Sequence, residues 1–121
     1  MNIQKVNLEE RFEQFSDTWN PRIVGELNGQ LVKLLRCKGP FIWHRHHYED
    51  ELFYVIKGVF TIKFRDHVVR LRPGEMLIVP KGVEHCPDAE SEVVWVMVFE
   101  RGGALKPCII TNETAMEESD H

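Results

Sequence analysis

The chain contains little cysteine, no long hydrophobic run and no dense basic segment. Its 121 residues include three cysteines, Cys37, Cys86 and Cys108, and carry a formal net charge of −4. An odd number of widely spaced cysteines is unlike the disulfide framework of a small secreted domain, so reduced thiols are expected. The acidic balance argues against a nucleic-acid partner, because phosphates require a basic footprint on the protein.

Signals for export or membrane insertion are also missing. Residues 1–15 are interrupted by charges and lack the apolar core of a signal peptide, and no later stretch approaches the length of a membrane span. The sequence therefore predicts a cytoplasmic protein with no membrane partner. Its length suits one domain, and it shows no internal repeat, phosphate-binding loop or nucleophile-elbow motif.

The first twenty residues predict a short helix. Asn7 precedes two glutamates in a pattern that resembles a capping box, and Leu8, Phe12 and Phe15 follow at helical spacing. We expect residues 1–20 to form a helical segment that packs its apolar edge on the rest of the domain.

Short β-like runs fill the chain from residue 21 to residue 110. Residues 22–27 and 30–37 flank Asn28-Gly29, the pair that best tolerates the positive φ values of a two-residue hairpin turn. Many short strands without intervening helices indicate an antiparallel barrel or sandwich. The further predicted strands are 41–46, 51–57, 59–65, 68–72, 76–80, 83–85 and 93–99.

Two further predictions concern the outer surface of this domain and the C-terminal segment. Leu52, Tyr54 and Ile56 are apolar on the parity expected to face outward, which predicts burial by the N-terminal segment or by a second subunit. Residues 111–121 are acidic with little apolar surface, and we expect them to form a mobile tail.

Histidines and a glutamate are spaced as a set of metal ligands. His44 and His46 alternate along a predicted strand, so their side chains project to one face. The polar stretch 47–50 can reverse the chain and return Glu51 beside them, while His85 follows a Pro-Lys-Gly turn and must arrive by folding. Three imidazoles and one carboxylate suit one divalent transition metal ion, namely Fe, Mn, Ni, Co, Zn or Cu.

These residues also resemble the two motifs of the cupin family. The first motif, a glycine, His-x-His, a glutamate and a second glycine, is matched by Gly39, His44, His46, Glu51 and Gly58. The second is matched by Gly74, Pro80, Gly82 and His85. Two departures stand out: four residues rather than five separate Gly39 from His44, and Ala89 occupies the position of the usual asparagine. The latter bears on turn geometry more than on metal binding.

The resemblance implies an all-β fold, a cupin-type antiparallel β-barrel (a double-stranded β-helix or jelly roll) with a short N-terminal helix. It implies the metal ligands His44, His46, Glu51 and His85, and a small cupin is frequently a dimer. The family includes dioxygenases, isomerases, decarboxylases and lyases, so the resemblance does not choose a reaction.

The cavity beside the predicted ligands should be apolar and small. Parity places Ile42, Phe53 and Val55 on its wall, which suits a small ligand with one polar end. Tyr48 is a weak candidate for proton transfer and Tyr54 a weaker one, because parity turns Tyr54 away from Glu51. Cys86 follows a predicted ligand directly, but strand parity favours a structural role over ligation or nucleophilic attack.

Two functional hypotheses follow. A divalent ion with one carboxylate ligand carries a local charge of about +1 and attracts a small anionic molecule. The first hypothesis is therefore a metal-dependent enzyme, an oxygenase or an isomerase/lyase, acting on such a compound. The alternative is a non-catalytic barrel that binds metal and a small ligand for sensing or storage.

Overall fold

The computed structural model describes residues 3–90, 92–102 and 108–111. Within them one helix and ten strands follow in chain order: α1 Leu8–Phe12, β1 Arg22–Leu27, β2 Gln30–Cys37, β3 His44–His46, β4 Glu51–Lys57, β5 Phe60–Lys63, β6 Val68–Leu71, β7 Met76–Val79, β8 Cys86–Asp88, β9 Val94–Arg101 and β10 Cys108–Ile110. The strands form sheets of order β1-β2-β9-β4-β7, β6-β5-β8 and β10-β3. Every pairing between named strands is antiparallel. The all-β architecture with a short N-terminal helix is confirmed.

The β1–β2 hairpin forms as predicted. Leu27 pairs with Gln30, and the two turn residues Asn28 and Gly29 have φ values of 52° and 82°. Positive φ at both central positions is the requirement of a type I′ turn, which Asn and Gly meet at low steric cost.

Helix α1 begins after the predicted cap, Asn7, but spans only Leu8–Phe12 of the segment 1–20. The side-chain oxygen of Asn7 accepts from the Glu10 N–H at 3.0 Å, which satisfies one of the free donors at the helix start. Phe12 is fully buried and stacks on Trp95 with ring centroids 4.8 Å apart, above Leu34 of β2. Ile56, one of the outward apolar positions of β4, packs against this same cluster.

Several predicted strands have different bounds, and two differ most. The run 41–46 is a strand only over β3, and the run 83–85 is not a strand, because the Val83 N–H turns back to the Pro80 carbonyl at 3.2 Å. His85 instead makes an isolated bridge with His44, and the regular strand follows as β8. The turn after Pro80 is thus longer than predicted.

The C-terminal part of the described chain adds a strand to the barrel. β10 pairs with β3, where Cys108 is opposite His46 and Ile110 opposite His44. Thr111 is buried, and its N–H donates to the Trp43 carbonyl at 2.7 Å. The rest of the predicted acidic tail, residues 112–121, lies outside the described residues.

The inner faces of the sheets form one apolar core. The buried side chains are Cys37, Phe53, Val55, Phe60, Ile62, Leu71, Val79, Ala89, Val94, Val96 and Val98. Cys37 and Cys86 are buried and not joined in a disulfide, as expected. No helix in the described part of the chain has the length and apolarity needed to cross a bilayer.

Candidate metal centre

The structure brings together the four residues that the sequence indicated. One donor atom from each of His44, His46, Glu51 and His85 lies within 4.8 Å of the others. Nε2 of His46 is 3.2 Å from Glu51 Oε1, and Nε2 of His85 is 3.6 Å from the same oxygen. β3 supplies two imidazoles, the first residue of β4 supplies the carboxylate, and the bridge between His85 and His44 places the last imidazole.

Backbone carbonyls orient two of the imidazoles. Nδ1 of His44 lies 2.9 Å from the Ile42 carbonyl, and Nδ1 of His85 lies 2.9 Å from the Val83 carbonyl. In a neutral imidazole the Nδ1–H donates to such a carbonyl, so the Nε2 lone pair is directed at the centre of the cluster. This is the usual way in which an outer hydrogen bond fixes the tautomer of a metal-binding histidine.

His46 is held differently, beside a carboxylate. Its Nδ1 lies 3.7 Å from Oε1 of Glu49, which is 7% exposed although it comes from the polar turn before β4. His46, Glu49 and Glu100 also have donor atoms within 4.8 Å of one another. Glu49 was not among the residues predicted for the site.

Burial and charge perturb the pKa values of the cluster. Burial, with the neighbouring His85 imidazole, lowers the pKa of His44 to about 4, so this ring is neutral at physiological pH. Burial opposes the charged form of His46, but the nearby Glu51 carboxylate outweighs it and raises the His46 pKa. Burial likewise opposes ionisation of Glu51, yet the imidazoles of His46 and His85 lower its pKa. Glu51 is therefore a carboxylate.

The cluster opens into a cavity of about 200 Å³. Its wall consists of Trp19, Pro21, Lys33, Leu35, Phe41, His44, His46, Glu51, Phe53, Pro87, Val98 and Glu100. Of the predicted wall residues Ile42, Phe53 and Val55, Phe53 lines this cavity and the other two do not. Val55 faces inward but is fully buried within the core, two residues further along β4, and half-buried Ile42 contributes its carbonyl to His44 instead.

Tyr48 does not reach this cavity. Its side chain is 63% exposed, packs edge-on against His47 and lines a separate surface depression with Glu49 and Asp50. The prediction of Tyr48 as a proton-transfer residue of the cluster is not supported, because the turn directs it to solvent. Cys86 is buried, and its thiol lies 3.9 Å from the Phe41 carbonyl, in agreement with a structural role.

An ion pair that was not predicted from the sequence lies on the cavity wall. The ammonium of Lys33 on β2 contacts Glu100 of β9, and both side chains are largely buried, 14% and 11% exposed. The sequence did contain a sign of this pair: Lys33 and Glu100 are charged residues at strand positions whose other inward-facing residues are apolar. Their pairing depends on contact between residues 67 positions apart, which the local pattern does not show.

The substituted motif position is accommodated by the backbone. Ala89 is buried in the core, and its N–H donates to the Gly39 carbonyl at 2.9 Å. The preceding Asp88 accepts from the Glu90 N–H at 2.7 Å and so stabilises the turn in which Glu90 has a φ of 58°. The turn therefore forms without the asparagine.

The donor set fits a divalent transition metal. Nε2 of His46, Nε2 of His85 and Oε1 of Glu51 are buried and, apart from one another, have no hydrogen-bond partner among the described residues. Buried polar atoms without partners are costly, and a coordinated cation would satisfy all of them together. Three neutral imidazoles and one carboxylate are the ligands that Fe, Mn, Co, Ni, Cu and Zn accept.

Comparison with known proteins agrees with the fold and the motifs. The Cupin domain model matches residues 36–99. The crystal structure of a cupin-2 domain containing protein from Shewanella frigidimarina NCIMB 400 is 40% identical, covers 80% of this chain and 94% of that one, and has a TM-score of 0.78.

Two sequence relatives match over part of their own length. YdbB, an uncharacterized protein of Bacillus subtilis (strain 168), is 36% identical over 63 residues, which are 51% of this chain and 56% of YdbB. The 3-hydroxyanthranilate 3,4-dioxygenase of Xenopus laevis is 27% identical over 103 residues, 79% of this chain and 36% of the dioxygenase. This chain thus spans little more than half the length of the first and about a third of the second. The matched motifs, the barrel and the clustered ligands together place the chain in the cupin domain family.

Proposed function

We propose that this protein is a metal-dependent enzyme, an oxygenase or an isomerase/lyase, that acts on a small anionic compound. The observation that carries the proposal is the convergence of three imidazoles and one carboxylate beside a cavity that His44, His46 and Glu51 line. Nε2 of His46, Nε2 of His85 and Oε1 of Glu51 have no hydrogen-bond partner among the described residues outside this cluster. His44, His46, Glu51 and His85 would hold one divalent transition metal. Such an ion polarises a bound oxygen atom as a Lewis acid or, where it is iron, supports dioxygen chemistry.

The residues around the cluster contribute binding and exclusion of water. Trp19, Leu35, Phe41, Phe53 and Val98 give the cavity a largely apolar wall, which favours a desolvated ring or chain. His44 and His85 are held by their carbonyl partners, so little reorganisation is needed when a ligand enters. Similarity to 3-hydroxyanthranilate 3,4-dioxygenase supports the oxygenase, the first of the two proposed reaction classes.

The test begins with metal analysis of freshly purified protein. We expect stoichiometric transition metal that is lost in His46→Ala and Glu51→Ala, with retention in the matched exposed variant His47→Ala. Oxygen uptake by iron-loaded protein across a panel of small aromatic and aliphatic acids then separates the oxygenase from an isomerase or lyase. Near-zero metal affinity in the folded wild-type protein would refute the proposal.

A non-catalytic barrel that binds metal and a small ligand is the second candidate. It is favoured by one observation: Tyr48, the residue that the sequence offered for proton transfer, faces solvent away from the cavity. Tight, saturable binding of a small acid to the metal-loaded protein, without turnover under aerobic or anaerobic conditions, would support this function instead.

A further inference from the structure

The charges around the cluster bear on how an anionic ligand is recognised. Besides Glu51, the carboxylates of Glu49 and Glu100 lie close to His46, and Lys33 contacts Glu100. These three carboxylates and one ammonium have a formal net charge of −2. A bound divalent ion would therefore bring the net charge of the group to about zero. The attraction for an anion that metal and Glu51 alone would provide is thereby largely cancelled.

One cationic side chain on the wall offers a site for an anion. Lys33 is the single lysine or arginine among the described residues that line the cavity. A lysine ammonium has three N–H donors, and Glu100 takes one of them. The remaining donors are available to a ligand in a cavity whose other wall residues, apart from the cluster and Glu100, are apolar.

The apolar part of the wall fits a flat ring. Trp19 and Phe41 stack with centroids 4.8 Å apart and an interplanar angle of 25°. Two hydrogen bonds hold Trp19, one from its backbone N–H to the Arg36 carbonyl at 2.8 Å and one from its ring N–H to the Lys38 carbonyl at 3.0 Å. The aromatic wall is therefore formed before a ligand binds.

The size of the cavity limits the ligand. An engineered cavity of about 150 Å³ accepts benzene. A cavity of about 200 Å³ therefore has room for one six-membered ring with one or two small substituents, and not for a nucleotide or a fused polycyclic compound.

We propose that the ligand is a single-ring aromatic carboxylate whose carboxylate is bound by Lys33, while a second polar substituent reaches the metal cluster. Glu100 positions the ammonium and moderates its charge. This assignment rests on the proposed function, since it takes the cluster to be the metal site, and it adds the recognition residue and the ligand class.

The test compares two probes of the same shape, 2-hydroxybenzoate and its neutral analogue 2-hydroxybenzamide. Binding is measured by calorimetry on protein loaded with Mn²⁺ or Zn²⁺, whichever binds at one equivalent. In the wild type we expect 2-hydroxybenzoate to bind more tightly than the amide. Lys33→Met should weaken the carboxylate about 10- to 100-fold, the range expected on losing a charge-assisted hydrogen bond, and change the amide less than about threefold.

Three further variants make the result specific. Lys38→Met, which removes an exposed lysine outside the cavity, should bind both probes as the wild type does. Glu100→Gln should bind 2-hydroxybenzoate more tightly, because Lys33 then carries an uncompensated charge. If Lys33→Met does not fold with Glu100 left unpaired, the double variant Lys33→Met/Glu100→Gln removes both charges and should still lose the preference for the carboxylate.

Metal content separates the two proposals. Full metal occupancy with an unchanged preference for 2-hydroxybenzoate in Lys33→Met would overturn the role of Lys33 while leaving the metal site intact. Equal weakening of both probes would also overturn it, because that result means that the substitution altered the cavity rather than charge recognition. Failure of the folded wild-type protein to bind any divalent transition metal would instead refute the proposed function.

Discussion

Glu51 and Glu100 are directly opposed on the neighbouring strands β4 and β9, and each residue is only 8% exposed. Like charges at opposed positions of an antiparallel pair repel, and burial strengthens the repulsion. Each carboxylate therefore needs its own positive partner. Lys33 compensates the charge of Glu100. The metal ion held with the three imidazoles would compensate the charge of Glu51.

This division predicts different effects of the same substitution at the two positions. Glu51→Gln should abolish stoichiometric metal binding, whereas Glu100→Gln should keep it. Metal at 100 times its dissociation constant should raise the free energy of unfolding of the wild type and of Glu100→Gln by about 2.7 kcal/mol, and that of Glu51→Gln by close to none. Urea denaturation with and without metal measures both, and equal loss in the two variants would contradict the division.

Glu49 should strengthen metal binding through His46. Its carboxylate lies 3.7 Å from Nδ1 of His46, a distance that a small adjustment on metal binding would shorten to a hydrogen bond. Removing such a partner typically lowers metal affinity about 10- to 100-fold. We expect a decrease of this order in Glu49→Ala and a smaller one in Glu49→Gln, measured by competition with a chelator. The exposed Glu92→Gln is the control, and wild-type affinity in Glu49→Ala would exclude the role.

The sequence was sufficient to predict those parts of the site that depend on local geometry. His44 and His46 share a face because strand side chains alternate, and the Asn28-Gly29 turn follows from the φ values that those two residues tolerate. Glu51 could be expected nearby because the turn before it is short. The position of His85 followed only from the resemblance to a known family.

Long-range packing decided the parts that were missed. Lys33 and Glu100 lie on strands far apart in the chain, so their contact depends on the register of β2 with β9. Glu49 belongs to a polar turn, and polar turns are usually exposed, yet its side chain is buried. Val55 has the same strand parity as Phe53, so the sequence could not distinguish them. Phe53 lines the cavity, whereas Val55 lies beyond it in the core.

Metal-free protein should lose stability in mild acid because of His44. Its pKa is lowered from 6.5 to about 4 by burial, so between these values the unfolded chain binds a proton that the folded chain does not. Stability from this residue is therefore present above pH 6.5 and falls as the pH decreases toward 4. The loss from pH 7.5 to pH 5 should be about 2 kcal/mol.

The raised pKa of His46 acts in the opposite direction, and the His44→Gln variant separates the two effects. The variant keeps His46 and Glu51, so the difference between its pH dependence and that of the wild type isolates His44. Urea denaturation in the presence of a chelator is the measurement. A parallel pH dependence in both proteins would show that His44 is not the group responsible.

Helix α1 should contribute to stability mainly through one side chain. Phe12 is fully buried and stacks on Trp95, so Phe12→Ala should cost about 3–5 kcal/mol in free energy of unfolding. Asn7→Ala should cost about 1 kcal/mol, since it removes only the N-terminal cap. Thermal and urea unfolding measure both. A loss below 1 kcal/mol for Phe12→Ala would mean that the helix contributes little to the barrel.

The outer face of β4 and β7 should form the interface of a homodimer. Ile56 packs against the cluster of Phe12, Leu34 and Trp95. Leu52 is only half-buried, and its neighbour Ile78 on β7 is 49% exposed. An apolar sheet face of this kind is commonly covered by a second subunit. Ile78→Glu should therefore weaken dimerisation about 10- to 100-fold, because it buries a charge against an apolar surface. Light scattering coupled to size exclusion, over a dilution series, gives the association constant. Val68→Glu, at a valine 50% exposed on β6, is the matched control and should remain dimeric; a wild-type protein that is monomeric throughout the series would contradict the interface.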